Sequence, residues 1–456
     1  MTIVSLTLVA LYIYILVKKD DQLVNAITLL LLFCINNINI GGFMTVGGVV
    51  LSYIDWLTAC TFFICLSIVM KRPQVDRKVF APIVVLILVV FIGIIRLSFS
   101  PPAAEVVSYS GSWDSYFRGN KSMLQSVSLS MQSVLQLIRT ILFFFIITVI
   151  KSSTTIDDWK IILRRLVISS RYLMPVYLLD AFCMLLGNSS FYNFRNWIFG
   201  GTYMLSKNRL SGLSTEPSYY AVTIFLVVSI NLLYGKMNNE IRDRYSNSVT
   251  CFIYIVLGVL SGSFSFLWTG VLLILLWFTC KNRLSLKQFC LVTTILLSVF
   301  IFQNNGLLLA SIGANRQPFS YRLENMLQSI VKFNQTGKMM YSSEGTRMGS
   351  IQILLKAWKE RPLLGLGIGT TFCFSGIVSI MATVGLLGLV LWYYIVFYAY
   401  PKQKTIAIIN IIFVLAFVPA GDFELFYGFN AILWAEVSSM MFNYRMKSNK
   451  KDEILT

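Results

Sequence analysis

The chain contains no histidine. That excludes histidine metal ligation and histidine-centred acid–base catalysis. Its eight cysteines, Cys34, Cys60, Cys65, Cys183, Cys251, Cys280, Cys290 and Cys373, lie in or beside apolar runs and form no C-x-x-C pair. They read as structural thiols, not as a disulfide framework or a metal site. There is no D-x-D, no metal-ligand cluster and no phosphate-binding G-x4-G-K-[ST]. The chain is therefore expected to use no metal, no ATP and no other cofactor. Alternating glycines do occur in GLGIGTT at 365–371, but no predicted strand precedes them, so they are not read as a dinucleotide loop. Internal repeats are absent too, and with them the inverted-repeat signature of many transporters. The first apolar run starts without a basic n-region or a small-residue cleavage site, so it reads as a retained helix.

Charge is also scarce, at 13% of 456 residues, whereas 56% are hydrophobic and the mean hydropathy is +0.72. Soluble cores do not hold that much apolar side chain. Apolar runs of about 17 to 25 residues, long enough to cross a hydrocarbon layer of about 30 Å as helices, recur along the chain. The predicted spans are 1–17, 22–37, 48–70, 79–99, 128–150, 166–187, 218–235, 247–261, 264–280, 288–303, 371–399, 404–421 and 424–443. The expected fold is all-α, a polytopic transmembrane helical bundle of about 12 to 14 spans forming one integral membrane domain, 1–456.

The breaks between spans alternate in character. One set is short and basic: Lys18 with Lys19; Lys71, Arg72, Arg77 and Lys78; Lys151, Lys160, Arg164 and Arg165; Lys236, Arg242 and Arg244; Lys281, Arg283 and Lys287; Lys402 with Lys404; and the tail 445–451. The positive-inside rule places these in the cytoplasm. The other set, 38–47, 100–127, 188–217, 262–263, 304–370 and 422–423, then faces outward. Only the central loop 188–217 and the large loop 304–370 have room for structure of their own. Within the large loop, 345–360 reads as an amphipathic helix, with Met348, Ile351, Leu354, Leu355 and Trp358 on one face, expected to lie on the membrane surface. Pro362 ends it, and Gly365, Gly367 and Gly369 turn the chain toward the next span.

The large loop is basic on the face where the rule does not expect it. Arg316, Arg322, Lys332, Lys338, Arg347, Lys356, Lys359 and Arg361 stand against Glu324, Glu344 and Glu360, eight positive charges less three negative, or +5. The whole chain carries +18 without a basic soluble domain to hold nucleic acid. Anionic membrane lipids and phosphate are the expected partners, and nucleic acid is not.

Ahead of the span at 218 runs Arg209-Leu-Ser-Gly212-Leu-Ser-Thr-Glu216-Pro217. It reads either as a helix start, with proline in the first turn and an acid on the dipole, or as a pocket in which Glu216 is a general base and Arg209 a phosphate clamp. Arg96 lies near the outer end of its span, where snorkelling is one reading. Arg139 sits deeper and calls for a cavity or a partner such as Asp55 or Asp180. Asp422 and Glu424 form either a solvated turn or a second carboxylate pair.

Three stretches together resemble the Wzy-type O-antigen polymerases, within the O-antigen polymerase and ligase superfamily. They are Arg209, Gly212, Glu216 and Pro217 before a span; SGSFS at 261–265 between two short spans; and Arg347 followed by an apolar helix and PLLGLGIG at 362–369. SGSFS departs from the common S-R-x-G form by lacking the arginine. The resemblance covers most of the chain as topology. It implies a glycosyltransferase of the bacterial inner membrane, working at the periplasmic face. Such an enzyme moves a growing glycan from undecaprenyl pyrophosphate onto the next lipid-linked repeat, with a chain-length regulator as partner. The implied site pairs Glu216, or else Asp422 or Glu424, as base with Arg209 and Arg347, joined by Arg316, Arg322 or Arg139, on the pyrophosphate. The sister ligases use an outer-loop histidine, which this chain lacks. A flippase or transporter of lipid-linked oligosaccharide is the reading from another class.

Overall fold

The computed structural model describes residues 3–18, 21–36, 38, 44–46, 49–71, 77–103, 105–107, 124–199, 210–214, 217–237, 241–280, 319–336, 343–370, 375–397, 404–416, 430–431 and 433–436. The described chain is an all-α polytopic bundle. Its helices are α1 (Ile3–Val17), α2 (Gln22–Ile35), α3 (Tyr53–Lys71), α4 (Arg77–Phe99), α5 (Met131–Ser153), α6 (Ile156–Leu185), α7 (Ser190–Phe199), α8 (Pro217–Met237), α9 (Ile241–Ser261), α10 (Phe264–Cys280), α11 (Phe319–Thr336), α12 (Ser343–Trp358), α13 (Gly376–Phe397) and α14 (Lys404–Ala416). Two short antiparallel pairs accompany them: β1 (Met44–Val46) with β2 (Val49–Leu51), and β3 (Glu105–Val107) with β4 (Leu124–Ser126).

Among the described residues, six helices are long and apolar enough to cross a membrane: Tyr53–Lys71, Phe80–Phe99, Ser133–Ser153, Ile156–Leu185, Pro217–Gly235 and Gly376–Ile395. Ile3–Val17, Gln22–Ile35, Asn247–Ser261 and Ser265–Trp277 are apolar but shorter. The predicted spans at 288–303 and, apart from 430–431 and 433–436, at 424–443 lie outside the described residues. Burial sorts the spans. In α8 78% of the apolar window is buried, in α6 28%, so α8 is the central helix and α6 is peripheral. Phe225 of α8 meets Trp434, which stacks on Phe413 at 5.4 Å. On α4, by contrast, Phe91, Ile92, Ile95 and Phe99 stay exposed. In a bilayer such a surface is solvated by lipid, which is as apolar as the side chains themselves.

Some element boundaries differ from expectation, for local reasons. Thr155 caps α6 with its side chain on the Asp158 N–H while the Asp158 carboxylate accepts the Thr155 N–H at 2.8 Å. This capping box starts the helix at Ile156, so Lys160, Arg164 and Arg165 form its first turns instead of a loop. The central loop holds α7 and the large loop holds α11 in addition to α12. The apolar face of α12 is not a free membrane-surface face: Leu354 and Ala357 are 1% exposed, packed with Leu97, Val106, Val127, Leu366 and Ala382.

α13 is a broken helix. Gly385 takes φ 73°, ψ 179° inside it, which releases carbonyls before the break and N–H groups after it. The 362–367 segment supplies the missing partners. Leu366 and Gly367 donate N–H to the carbonyls of Ala382 and Thr383 at 2.7 and 3.0 Å, and Leu386 and Leu387 donate to Pro362 and Leu363 at 2.9 and 3.3 Å. Irregular backbone is tolerated at membrane depth only when paired in this way. A Cβ at Gly385 would fall 2.1 Å from the Leu363 carbonyl oxygen, and one at Gly365 2.5 Å from the Gly385 nitrogen. The approach of these two backbones therefore requires glycine on both sides.

Candidate functional site

The site is built around the five-residue turn 210–214. Its backbone is held between opposite charges. The Asp180 carboxylate of α6 accepts the N–H groups of Ser211 and Gly212 at 3.3 and 2.7 Å. From the other side, the Arg195 guanidinium of α7 reaches the Ser211 hydroxyl at 3.0 Å, the Ser214 carbonyl at 3.2 Å and the Gly212 carbonyl. Arg195 is 3% exposed. Burial lowers its pKa, and the neighbouring Asp180 charge opposes that. A buried cation needs such a partner set, and charge-assisted hydrogen bonds are the strong ones.

Below the turn lies a floor of tyrosines. Gly212 has φ +58°, and a Cβ there would stand 2.2 Å from the Tyr177 ring and 2.9 Å from that of Tyr220. Tyr177 stacks on Tyr220 at 5.4 Å and donates its hydroxyl to Asn36 at 2.6 Å. Ser214 donates to the Asn36 carbonyl at 3.2 Å. The C-terminus of α2, the last turns of α6, α7 and the first turn of α8 thus meet at one node. It sets where the chain leaves Leu210 and where it enters α8 at Pro217.

Arg347 reaches the same place from the large loop. Its guanidinium donates to the Ser218 hydroxyl at 3.5 Å, in the first turn of α8 and two residues after Glu216 in the chain. Arg347 is half-buried and stands beside a helix N-terminus, where a guanidinium and the helix dipole both favour an anion. The structure thereby joins two stretches that the sequence nominated separately.

Two further arginines are fixed by groups of the protein. Arg139 binds Asp55 bidentately, Nε to Oδ1 at 2.6 Å and Nη2 to Oδ2 at 2.5 Å, with side chains 7% and 8% exposed. Asp55 is one of the two partners the sequence offered for it. The acid is also fixed by the Ser52 N–H and hydroxyl at 2.8 and 2.9 Å, so the pair ties the start of α3 to α5. Arg361, 7% exposed, donates to the carbonyl of Ser100 just past α4, a cation on a helix C-terminus. Burial lowers the Arg361 pKa, the like charge of Arg96 lowers it further, and Glu360 opposes both.

Arg209, Glu216, Arg316, Asp422 and Glu424 lie outside the described residues, as does the side chain of Arg322. Sequence pattern does not single out Arg195, and it offers Asp180 only as a partner for Arg139. Each carries a signal all the same: an acid inside an apolar span, and a lone cation in the aromatic run FYNFRNWIF. Intramembrane acids mark sites or partners by default. No protein-family model and no curated protein matches the chain.

Proposed function

We propose that the chain is a polysaccharide polymerase of the O-antigen type, a glycosyltransferase of the bacterial inner membrane acting at its periplasmic face. The donor is a growing glycan on undecaprenyl pyrophosphate, and the acceptor is the next lipid-linked repeat. A hydroxyl of the acceptor attacks the anomeric carbon of the donor. The carbon–oxygen bond to pyrophosphate breaks, the lipid pyrophosphate leaves with the electron pair, and a carboxylate takes the hydroxyl proton. Glu216 is assigned as that base, with Asp422 or Glu424 as the alternatives, and Arg209 and Arg347 receive the pyrophosphate, aided by Arg316 or Arg322. Arg139, engaged by Asp55, is assigned to the scaffold. A chain-length regulator is the proposed protein partner.

The observation that carries this reading is the Arg347–Ser218 contact at 3.5 Å, which sets a phosphate-competent guanidinium beside the segment bearing Glu216. The test is the chain-length ladder made by Arg347→Ala, Arg209→Ala and Glu216→Gln in a deletion strain. Loss of long-chain product at normal protein level is expected from each. Wild-type ladders from all three overturn the assignment, and a deletion strain with bare core instead of core plus one repeat points to a ligase.

A further inference from the structure

α11 is turned the wrong way round for a helix surrounded by water. The residues it buries are polar, Asn325 at 9% and Ser329 at 2% exposure. The Ser329 hydroxyl is satisfied by the Asn325 carbonyl at 2.5 Å. On the other side Leu323, Leu327 and Val331, spaced four apart, are 41%, 57% and 53% exposed. Tyr321 is exposed as well, and Met326, Ile330 and Phe333 are half-buried. α11 packs on α12, and its apolar stripe is not covered by the described protein.

We propose that α11 lies in the plane of the membrane, in the headgroup layer, with Leu323, Leu327 and Val331 in the acyl boundary of an anionic leaflet. Three observations select lipid as the occupant. First, α11 is 18 residues long but carries Arg322, Glu324 and Lys332 with several amides, too polar to cross and amphipathic enough to lie flat. Second, α11 is tied through α12 to the end of a helix long and apolar enough to cross a membrane. α12, on which α11 packs, meets Leu97 in the last turn of α4, while Ile95 and Phe99 on the opposite face of that turn are exposed. Third, charge complements an anionic surface: two cations stand against one acid in α11, within a loop that carries +5 in all. Tyr321, also exposed, is of the aromatic type enriched at that depth.

The test places an environment-sensitive fluorescent amino acid at position 327, or at position 328 on the polar side, of the full-length chain. Each protein is set singly into nanodiscs containing phosphatidylglycerol and a lipid with a shallow nitroxide quencher. One chain per disc excludes coverage by a second copy, and the purified protein excludes coverage by a partner. Quenching at 327 is expected to exceed that at 328 by about twofold or more, and to weaken when phosphatidylcholine replaces phosphatidylglycerol. Equal quenching at 327 and 328 overturns the placement. Quenching indifferent to the anionic lipid overturns the electrostatic half of the proposal.

Discussion

Arg347 and Ser218 are 129 residues apart in the chain and 3.5 Å apart in the fold. A loop arginine is thereby held at the first turn of the most buried of the described spans, next to the segment that carries Glu216. If that guanidinium receives a leaving pyrophosphate, its shape matters as much as its charge. Arg347→Lys keeps the charge and loses the planar fork, so it is expected to restore little of the activity lost in Arg347→Ala. Removing one charge-stabilising donor typically costs about a hundredfold in rate. Polymer yield from purified protein and a lipid-linked repeat is the measurement, and a lysine variant as active as wild type would count against bidentate binding.

Asp55→Asn and Arg139→Gln each leave one buried charge without its counterpart. The expected cost is about 3 to 5 kcal/mol for either change. Replacing both, as in Asp55→Leu with Arg139→Met, removes the two desolvation penalties together and is expected to recover much of the loss. Thermal unfolding in detergent reads all three variants. A double variant as unstable as the singles would show that other contacts of Arg139 dominate.

Two glycines separate backbone cost from packing cost. Gly187 has φ +66° with no atom within 4 Å of where a Cβ would stand, whereas Gly212 has φ +58° with the Tyr177 ring at 2.2 Å. Gly187→Ala is expected to cost only the left-handed penalty, about 1 kcal/mol. Gly212→Ala adds a steric clash under the turn and is expected to lower both folded yield and polymer length. Comparable behaviour of the two variants, measured by size-exclusion profile and melting temperature, would refute the tight fit at 212.

Gly385→Ala strikes the junction between α13 and the 362–367 segment. Its Cβ would meet backbone, at 2.1 Å from the Leu363 oxygen, and backbone cannot rotate aside as a side chain can. Loss of the hydrogen bonds that cross this junction is the expected result, read as faster amide exchange at Leu366, Gly367, Leu386 and Leu387. Unchanged exchange at these amides would rule out the interlock.

Much of the bundle is legible in the sequence because the bilayer imposes one length on every span. Segments such as 79–99 and 218–235 announce themselves as predominantly apolar runs of spanning length, and the helices found there begin or end within a few residues of expectation. The start of α6 is not legible, because Lys160, Arg164 and Arg165 look like a loop by charge, while the capping box at Thr155 and Asp158 acts over four residues only. α11 escapes a reading by apolar run length because polar residues separate Leu323, Leu327 and Val331 in the chain, although the three keep helical spacing. Periodicity does reveal α12 but points it at the wrong neighbour, since a repeat identifies a face and does not say what covers it.

The amino-acid sequence by itself determined that this is a polytopic helical membrane protein with a basic loop and no histidine chemistry, because composition and run length suffice for those conclusions. Tertiary structure alone decided which arginine has which partner. Arg139 meets Asp55, Arg195 grips the 210–214 turn, Arg361 closes α4, and half-buried Arg347 reaches Ser218. A guanidinium carries the same charge at every position in the chain. What it does depends on the groups within hydrogen-bond reach of it, and those neighbours are brought there by contacts between residues distant in sequence.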